Sequence, residues 1–329
     1  ELPQLQRALV RADASTLGVP DTDPANLALS ASASASSTRT RLASTTSTGA
    51  QILEKDLSLV LPADPGIDGL EVLVDAAEDT ELSAALHTTS KPQNYLPHEQ
   101  LETVRVVVPR GRSWVRLPLA HTPAEPRNLV VVLHSNPLLR IHRGDHAEPG
   151  TVTMHRRLLP RGEEFTEQWR EWKETLHGEG ICFRLLSPTS AFAPSRALGG
   201  YARPYGGPNM WISAPAAEDP QPVLELAWEE PQTITEVDLL FDDDLNEDLI
   251  NLHHHRSPDD IMPTLVRNAR LETRADGTWH HLASLQDNRE RRRVLRLDAP
   301  VTTDALRLVV EDTNGVPEAR VVGVRVYGG

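Results

Sequence analysis

The stretch Ile234-Thr235-Glu236-Val237-Asp238-Leu239-Leu240-Phe241 decides the fold of this 329-residue chain. Val237, Leu239 and Phe241 fall at every second position, the period of a strand with one buried and one solvated face. The same rhythm recurs on both sides of it. Val223-Leu224-Glu225-Leu226-Ala227-Trp228, Ala269-Arg270-Leu271-Glu272-Thr273, Trp279-His280-His281-Leu282-Ala283, Arg293-Val294-Leu295-Arg296-Leu297, Ala305-Leu306-Arg307-Leu308-Val309-Val310 and the run 321–327 make a C-terminal block of seven or eight strands. An earlier block reads alike, in 56–61, 69–74, 81–86, 103–108, 114–119 and 128–133, with Pro, Gly and Asp between the runs. Many short strands at this spacing predict a mainly β chain, two antiparallel β-sandwiches of jelly-roll type in tandem with a few short helices.

The remaining segments are read around that frame. Residues 2–12 place Leu2, Leu5 and Leu9 on one helical face that needs a partner surface, so 1–28 reads as a helix and linker. The Ala/Ser/Thr run at 30–48 reads as a flexible linker or, in preference, as an extended edge segment hugging a sandwich, and 29–160 as the first sandwich. In 163–177, Phe165, Trp169, Trp172 and Leu176 recur at i, i+4, i+7 and i+11. That spacing predicts an amphipathic helix stopped by Gly178 and Gly180, inside a helical connector at 161–190. Residues 191–329 form the second sandwich.

A net charge of −14 opposes a grip on phosphate backbones or anionic lipid, so neither nucleic acid nor membrane is an expected partner. No apolar run approaches the roughly 20 residues of a bilayer span, and Glu1-Leu2-Pro3-Gln4 lacks the basic and apolar regions of a signal peptide. A soluble chain is expected, in a compartment the residues leave open, and the missing initiator Met suggests processing or a longer parent chain. Cys182 is the single cysteine, which excludes an internal disulfide. Its apolar neighbours Ile181 and Phe183 predict an inert buried thiol.

One loop gathers the residues of a ligand contact. Gly199-Gly200-Tyr201-Ala202-Arg203-Pro204-Tyr205-Gly206-Gly207-Pro208-Asn209-Met210-Trp211 offers Tyr201, Arg203, Tyr205, Asn209 and Trp211. These could stack on a sugar ring and bond its hydroxyls, or close the base of a sandwich. The acidic run after Phe241 spaces Asp242, Asp244 and Asn246 like the first half of a calcium loop. Glu247 and His253 occupy the positions where an EF-hand would need Gly and Glu. His253-His254-His255, and His142 and His146 with His155, offer zinc ligand types, but adjacent imidazoles in an extended loop point apart. No Gly-x-Ser-x-Gly is present, and Glu163-Glu164 suit a helix N-terminus, so the chain shows no catalytic motif.

The last 140 residues resemble a discoidin-like, galactose-binding-type β-sandwich. The resemblance rests on the aromatic loop, strand 234–241, the turn Gly277-Thr278-Trp279-His280, and the closing run 319–328. A narrower set is similar to the C-terminal region of bacterial FAD-dependent oxidoreductases. It comprises Gly200-Tyr201-Ala202-Arg203-Pro204, Trp211, Phe241-Asp242-Asp243-Asp244-Leu245-Asn246, Ile261-Met262-Pro263, Asp287-Asn288-Arg289 and Thr313-Asn314-Gly315, with Leu5-Gln6-Arg7-Ala8-Leu9 and Asp23-Pro24-Ala25-Asn26-Leu27-Ala28. That resemblance implies FAD held by a flavin-binding domain or chain N-terminal to residue 1, because no Gly-x-Gly-x-x-Gly unit between strand and helix occurs here.

Three functions follow, each with its own structural signature. An accessory region of a flavoenzyme predicts an exposed apolar patch at 1–12 and no deep polar pocket. A carbohydrate-binding pair of sandwiches predicts an exposed face on Trp211 or Tyr205. A β-sandwich hydrolase or lyase predicts titratable groups converging in a cleft.

Overall fold

A computed structural model describes residues 20–92, 94–125, 127–157, 171–174, 179–246 and 259–328. The described residues are mainly β, in three antiparallel sheets, with 3-10 turns at Leu27–Ser30 and Pro194–Ala197 and helical residues at Glu171 and at Leu245 and Asn246. The predicted helix at 2–12 lies outside the described residues.

The Ala/Ser/Thr run supplies three strands, β1 (Ser32–Ala35), β2 (Ala43–Ser44) and β3 (Ser47–Leu53). The first block continues through β4 (Leu57–Pro62), β5 (Ile67–Ala76), β6 (Thr80–Thr88), β7 (Gln100–Val108), β8 (Gly111–His121), β9 (Asn128–Leu133), β10 (Asn136–Gly144), β11 (Val152–Arg156), β12 (Trp172–Glu174) and β13 (Phe183–Leu185). One sheet runs β2-β13-β5-β10-β3 with β8 paired to β5, and the other runs β12-β11-β4-β9-β6-β7. Leu59, Leu82 and Val131 from one meet Val72, Leu117 and Ile141 from the other in a common core. Every residue of β4 and β9 is buried. Their odd-numbered residues enter that core, while Val60, Val130 and Val132 turn to a second cluster with Leu96, Met154 and Trp172.

That outer cluster explains why the helix predicted at 163–177 gives way to a strand at Trp172–Glu174. Trp172 lies in a strand, pairing with Arg156 at the edge of β11, and it is 8% exposed. The apolar outer faces of β4 and β9 need a cover, and an open strand edge needs hydrogen bonds, so tertiary demand overrides the local 3.6-residue period. Phe165, Trp169, Leu176 and Glu163-Glu164 lie outside the described residues. The connector assigned to 161–190 thus supplies strands β12 and β13 to the first sandwich, with Glu171 helical immediately before β12.

The second sandwich is built from β14 (Trp211–Ile212), β15 (Val223–Phe241), β16 (Val266–Ala275), β17 (Thr278–Leu285), β18 (Arg292–Thr313) and β19 (Arg320–Tyr327), in the order β14-β19-β15-β18-β16-β17. Runs separated by Pro231 and by Pro300 are single long strands, β15 and β18. Both prolines fall where the β15–β18 register shifts, a position at which a missing N–H breaks no ladder bond. β15 changes partners along its length, pairing β1 at 224–227 and β19 at 236–241. The edge segment predicted at 30–48 is therefore extended, and its first strand belongs to the second sandwich rather than the first.

The one-buried-face expectation for 234–241 fails at its end. Val237, Leu239 and Phe241 enter the second core, while Leu240 enters the first, together with Leu245, Val322, Met210 and Ile212. The continuous apolar run Leu239-Leu240-Phe241 is the mark of a strand covered on both sides. The two sandwiches share a buried apolar contact through β15 and β19.

Candidate functional site

The aromatic loop is a closure of the structure. Trp211 is fully buried in the second core, and its Nε1–H donates to the Ser37 carbonyl at 3.1 Å. It offers no face to a ligand, which corrects its place among the contact candidates. Tyr201 and Tyr205 stack on each other with ring centroids 4.1 Å apart. Burial, and then Tyr205 beside it, pushes the Tyr201 hydroxyl pKa up.

Arg203 donates to Asp243 at 2.7 Å, and Arg291 bonds the same carboxylate. Burial alone would raise the Asp243 pKa, but Arg291 and Arg203 outweigh it and hold the carboxyl below its usual range. Asn209 adopts the left-handed region at φ 53° and ties the loop inward, its Nδ2 donating to the carbonyls of Arg203 at 3.0 Å and Tyr205 at 3.2 Å. Of the five candidates, only Tyr201 and Tyr205 keep rings partly open to solvent on this loop, and each covers a face of the other.

The loop glycines do not fit a flavin pyrophosphate. A Cβ on Gly199 would lie 2.2 Å from Leu29 Cδ2, and the Gly206 N–H already donates to the Pro92 carbonyl at 2.8 Å. These glycines admit neighbouring protein atoms and do not open a helix, so no step through FAD is assigned to this chain.

Calcium fares likewise. Asp242 is buried, its Oδ1 accepting from the N–H groups of Asp244 at 3.1 Å and Leu245 at 2.8 Å. Its Oδ2 accepts from Arg320 at 3.1 Å. Asn246 turns to the other sandwich, accepting from Gly150 N–H at 2.8 Å and donating to the Glu148 carbonyl at 3.1 Å. Asp242 and Asn246 do not converge on a cation, and no group of three His, Cys, Asp or Glu side chains suited to a metal occurs among the described residues. His253-His254-His255 lies outside them. The Cys182 thiol is fully buried, and burial pushes its pKa up, as an inert thiol requires.

What sequence reading missed is a cleft of about 760 Å³ between the sandwiches. Thr151 and Glu148 of the first face Met262, Pro263, Val316 and Glu318 of the second, with Arg39 between them. A line of charges crosses its wall. His146 lies between Asp145 at 2.7 Å and Glu148 at 3.0 Å. Arg39 bonds Glu148 and reaches Glu318 at 3.3 Å, and Arg320 joins Glu318 at 2.8 Å to Asp242 at 3.1 Å. Glu148 and Glu318 are almost wholly buried, which is tolerable because each is held by guanidinium groups. Asn246 and Asp259, the residues flanking the undescribed stretch 247–258, also line the cleft.

His146 carries a pH dependence. Its hydrogen bond to Glu148 outweighs burial and, with the charges of Glu148 and Asp145, raises its pKa above the ordinary value near 6.5. The protonated imidazole is favoured in the folded state. Its stabilisation is complete below the unfolded value and disappears as pH rises through the higher folded value. The melting temperature of the parent chain should exceed that of His146→Gln most at pH 5, with the gap closing as pH rises past 7. A gap that widens with pH contradicts the assignment.

No family model matches the sequence, and no curated protein matches it. Similar solved structures include the family 32 carbohydrate-binding module of EndoD from Streptococcus pneumoniae, at 19% identity over 39% of this chain and 84% of that one, TM-score 0.30. Chitosan-binding module 1 of a chitosanase/glucanase from Paenibacillus sp. IK-5 is similar at 13% identity over 42% and 87%, TM-score 0.32. The family 32 module of C. perfringens NanJ, in complex with galactose, is similar at 12% identity over 42% and 86%, TM-score 0.31. No helix among the described residues is long and apolar enough to cross a membrane.

Proposed function

We propose that this chain is a glycan-binding pair of β-sandwiches whose ligand seat is the cleft between them. The observation that carries this reading is the cleft wall itself. Sugar rings present hydroxyls that both donate and accept above weakly apolar C–H faces. The cleft supplies fixed donors in Arg39 and Arg320, fixed acceptors in Glu148 and Glu318, and apolar surface in Met262, Pro263 and Val316. Holding those charges in pairs fixes hydrogen-bond directions before a ligand arrives, which lowers the ordering cost of binding. The same pairing opposes an acid–base role, because Arg39 and Arg320 already engage the Glu148 and Glu318 carboxylates.

Titration calorimetry with galacto-, gluco- and glucosamine oligosaccharides tests it. At least one class should bind the parent chain, and Val316→Trp, which fills the cleft, should weaken that binding about tenfold or more, a loss of roughly 1.4 kcal/mol. Binding that survives Val316→Trp unchanged, or no binding by any class, contradicts the reading.

The flavoenzyme-accessory reading stands second, favoured by the anchoring of residues 21–28. Asp21 bridges Gly200 and Asn26 bridges Tyr327. A flavin domain joined through residues 1–20 would lie beside Tyr201 and Tyr205. The helix expected at 2–12 lies outside the described residues. Flavin absorbance in protein purified from the whole reading frame, lost when the part before Glu1 is removed, is the outcome this second reading requires.

A further inference from the structure

Three strands of the first sandwich bring a serine, a histidine and an aspartate into one hydrogen-bonded line, outside the cleft. Val74 on β5 and Ile141 on β10 enter the core, so their neighbours Asp75 and His142 lie on the opposite, outward face of the sheet. His142 Nδ1 is 2.7 Å from Ser47 Oγ on β3, and His142 Nε2 is 3.0 Å from Asp75 Oδ2. The imidazole is buried, whereas the Asp75 side chain is 36% exposed and Ser47 is half-buried.

A carboxylate at Nε2 fixes the ring proton there and leaves the Nδ1 lone pair facing the serine hydroxyl. That is the division of roles in a Ser-His-Asp relay, with the two ring nitrogens interchanged, and such relays are recognised by geometry rather than sequence order. One backbone donor stands at the serine. The Gly49 N–H points at Ser47 Oγ from 3.3 Å. The Arg143 guanidinium lies against Gly49, its Nη2 3.6 Å from the place of a Cβ there. Arg143 also reaches Glu179 at 3.5 Å through Nη1.

We propose that Ser47, His142 and Asp75 form an ester-hydrolysing site that accepts short acyl esters, acetyl being the smallest. Ser47 Oγ attacks the carbonyl carbon while His142 Nδ1 takes the hydroxyl proton. The tetrahedral adduct, its oxyanion facing Gly49 N–H, collapses by breaking the bond to the alcohol oxygen, and the alcohol leaves with the proton from Nδ1. Water, deprotonated by the same nitrogen, then attacks the acyl-serine, releasing the carboxylic acid and restoring Ser47. Asp75 is a positioning residue that acts through the ring. An open sheet face suits a short acyl group borne on a larger molecule.

The test uses the full chain, a fluorophosphonate probe with peptide mass spectrometry, and 4-nitrophenyl acetate turnover. The adduct should map to Ser47, and Ser47→Ala and His142→Gln should fall to the uncatalysed rate. Asp75→Asn should lower the rate by about 10²–10⁴-fold and shift its pH profile, which a merely structural role would not do. An adduct elsewhere or none on the folded parent chain overturns the proposal, as does a folded Ser47→Ala that turns over at the parent's rate. If Ser47→Ala does not fold, labelling of the parent chain decides.

Discussion

Arg325→Met lowers the free energy of unfolding in urea by about 3–5 kcal/mol, the usual cost of removing one partner from a buried charge pair. Arg325 is 4% exposed and donates from Nε to Asp21 Oδ2 at 2.9 Å. Its Nη1 lies 3.8 Å from Asp238, which Arg292 also holds, at 2.7 Å from Nη2. Asp21 and Asp238 are 2% and 0% exposed. Once the guanidinium is gone, Asp238 retains Arg292, but Asp21 keeps only the Asn26 Nδ2–H at 3.0 Å and local contacts. The segment 21–28 would then detach from the second sandwich. Asp21→Asn in the same chain should recover part of the loss, because it removes the charge that Arg325→Met leaves uncompensated. A double variant that costs the sum of the two single variants would show that the pair carries no coupling.

Trp211→Ala costs about 3–5 kcal/mol, the range for truncating a large aromatic residue in a core. The ring is fully enclosed with Leu224, Phe241 and Val321 in the second core, and loss of its indole N–H would leave the Ser37 carbonyl without its donor. Trp211→Phe should cost less and leave glycan affinity unchanged, since the side chain closes the sandwich and touches no ligand. Lost affinity in a folded Trp211→Phe would return this residue to the contact set.

The strands were legible because each buried face writes a period of two into the chain, and all six runs named in the first block fall in strands. What the residues hid was anything set by distant partners. Trp172 shows helical spacing with Trp169, yet its strand is fixed by the bare faces of β4 and β9, which 163–177 does not encode. Pro231 and Pro300 read as punctuation because a proline ends most strands, whereas here each falls at a bulge. The polar stretch 21–28 reads as a linker, and the structure buries Asp21 and Asn26. A signal was present: Arg325 and Asp238 interrupt apolar strands at positions where a charge survives only if another is brought to it.

The candidate site was less legible still. Arg39, Glu148 and Glu318 are separated by more than a hundred residues at each step and meet only when the sandwiches dock. The aromatic loop attracted the ligand reading because Tyr, Trp and Arg favour both binding faces and plugs. Its hydrogen bonds and the burial of Trp211 favour the plug.

The most direct test of the cleft as ligand seat is amide chemical-shift mapping of the chain during titration with a mixture of galacto-, gluco- and glucosamine oligosaccharides. The account predicts saturable shifts at Arg39, Glu148, Met262, Val316 and Glu318, with Tyr201 and Tyr205 unmoved. Shifts confined to the aromatic loop, or none anywhere, would contradict it.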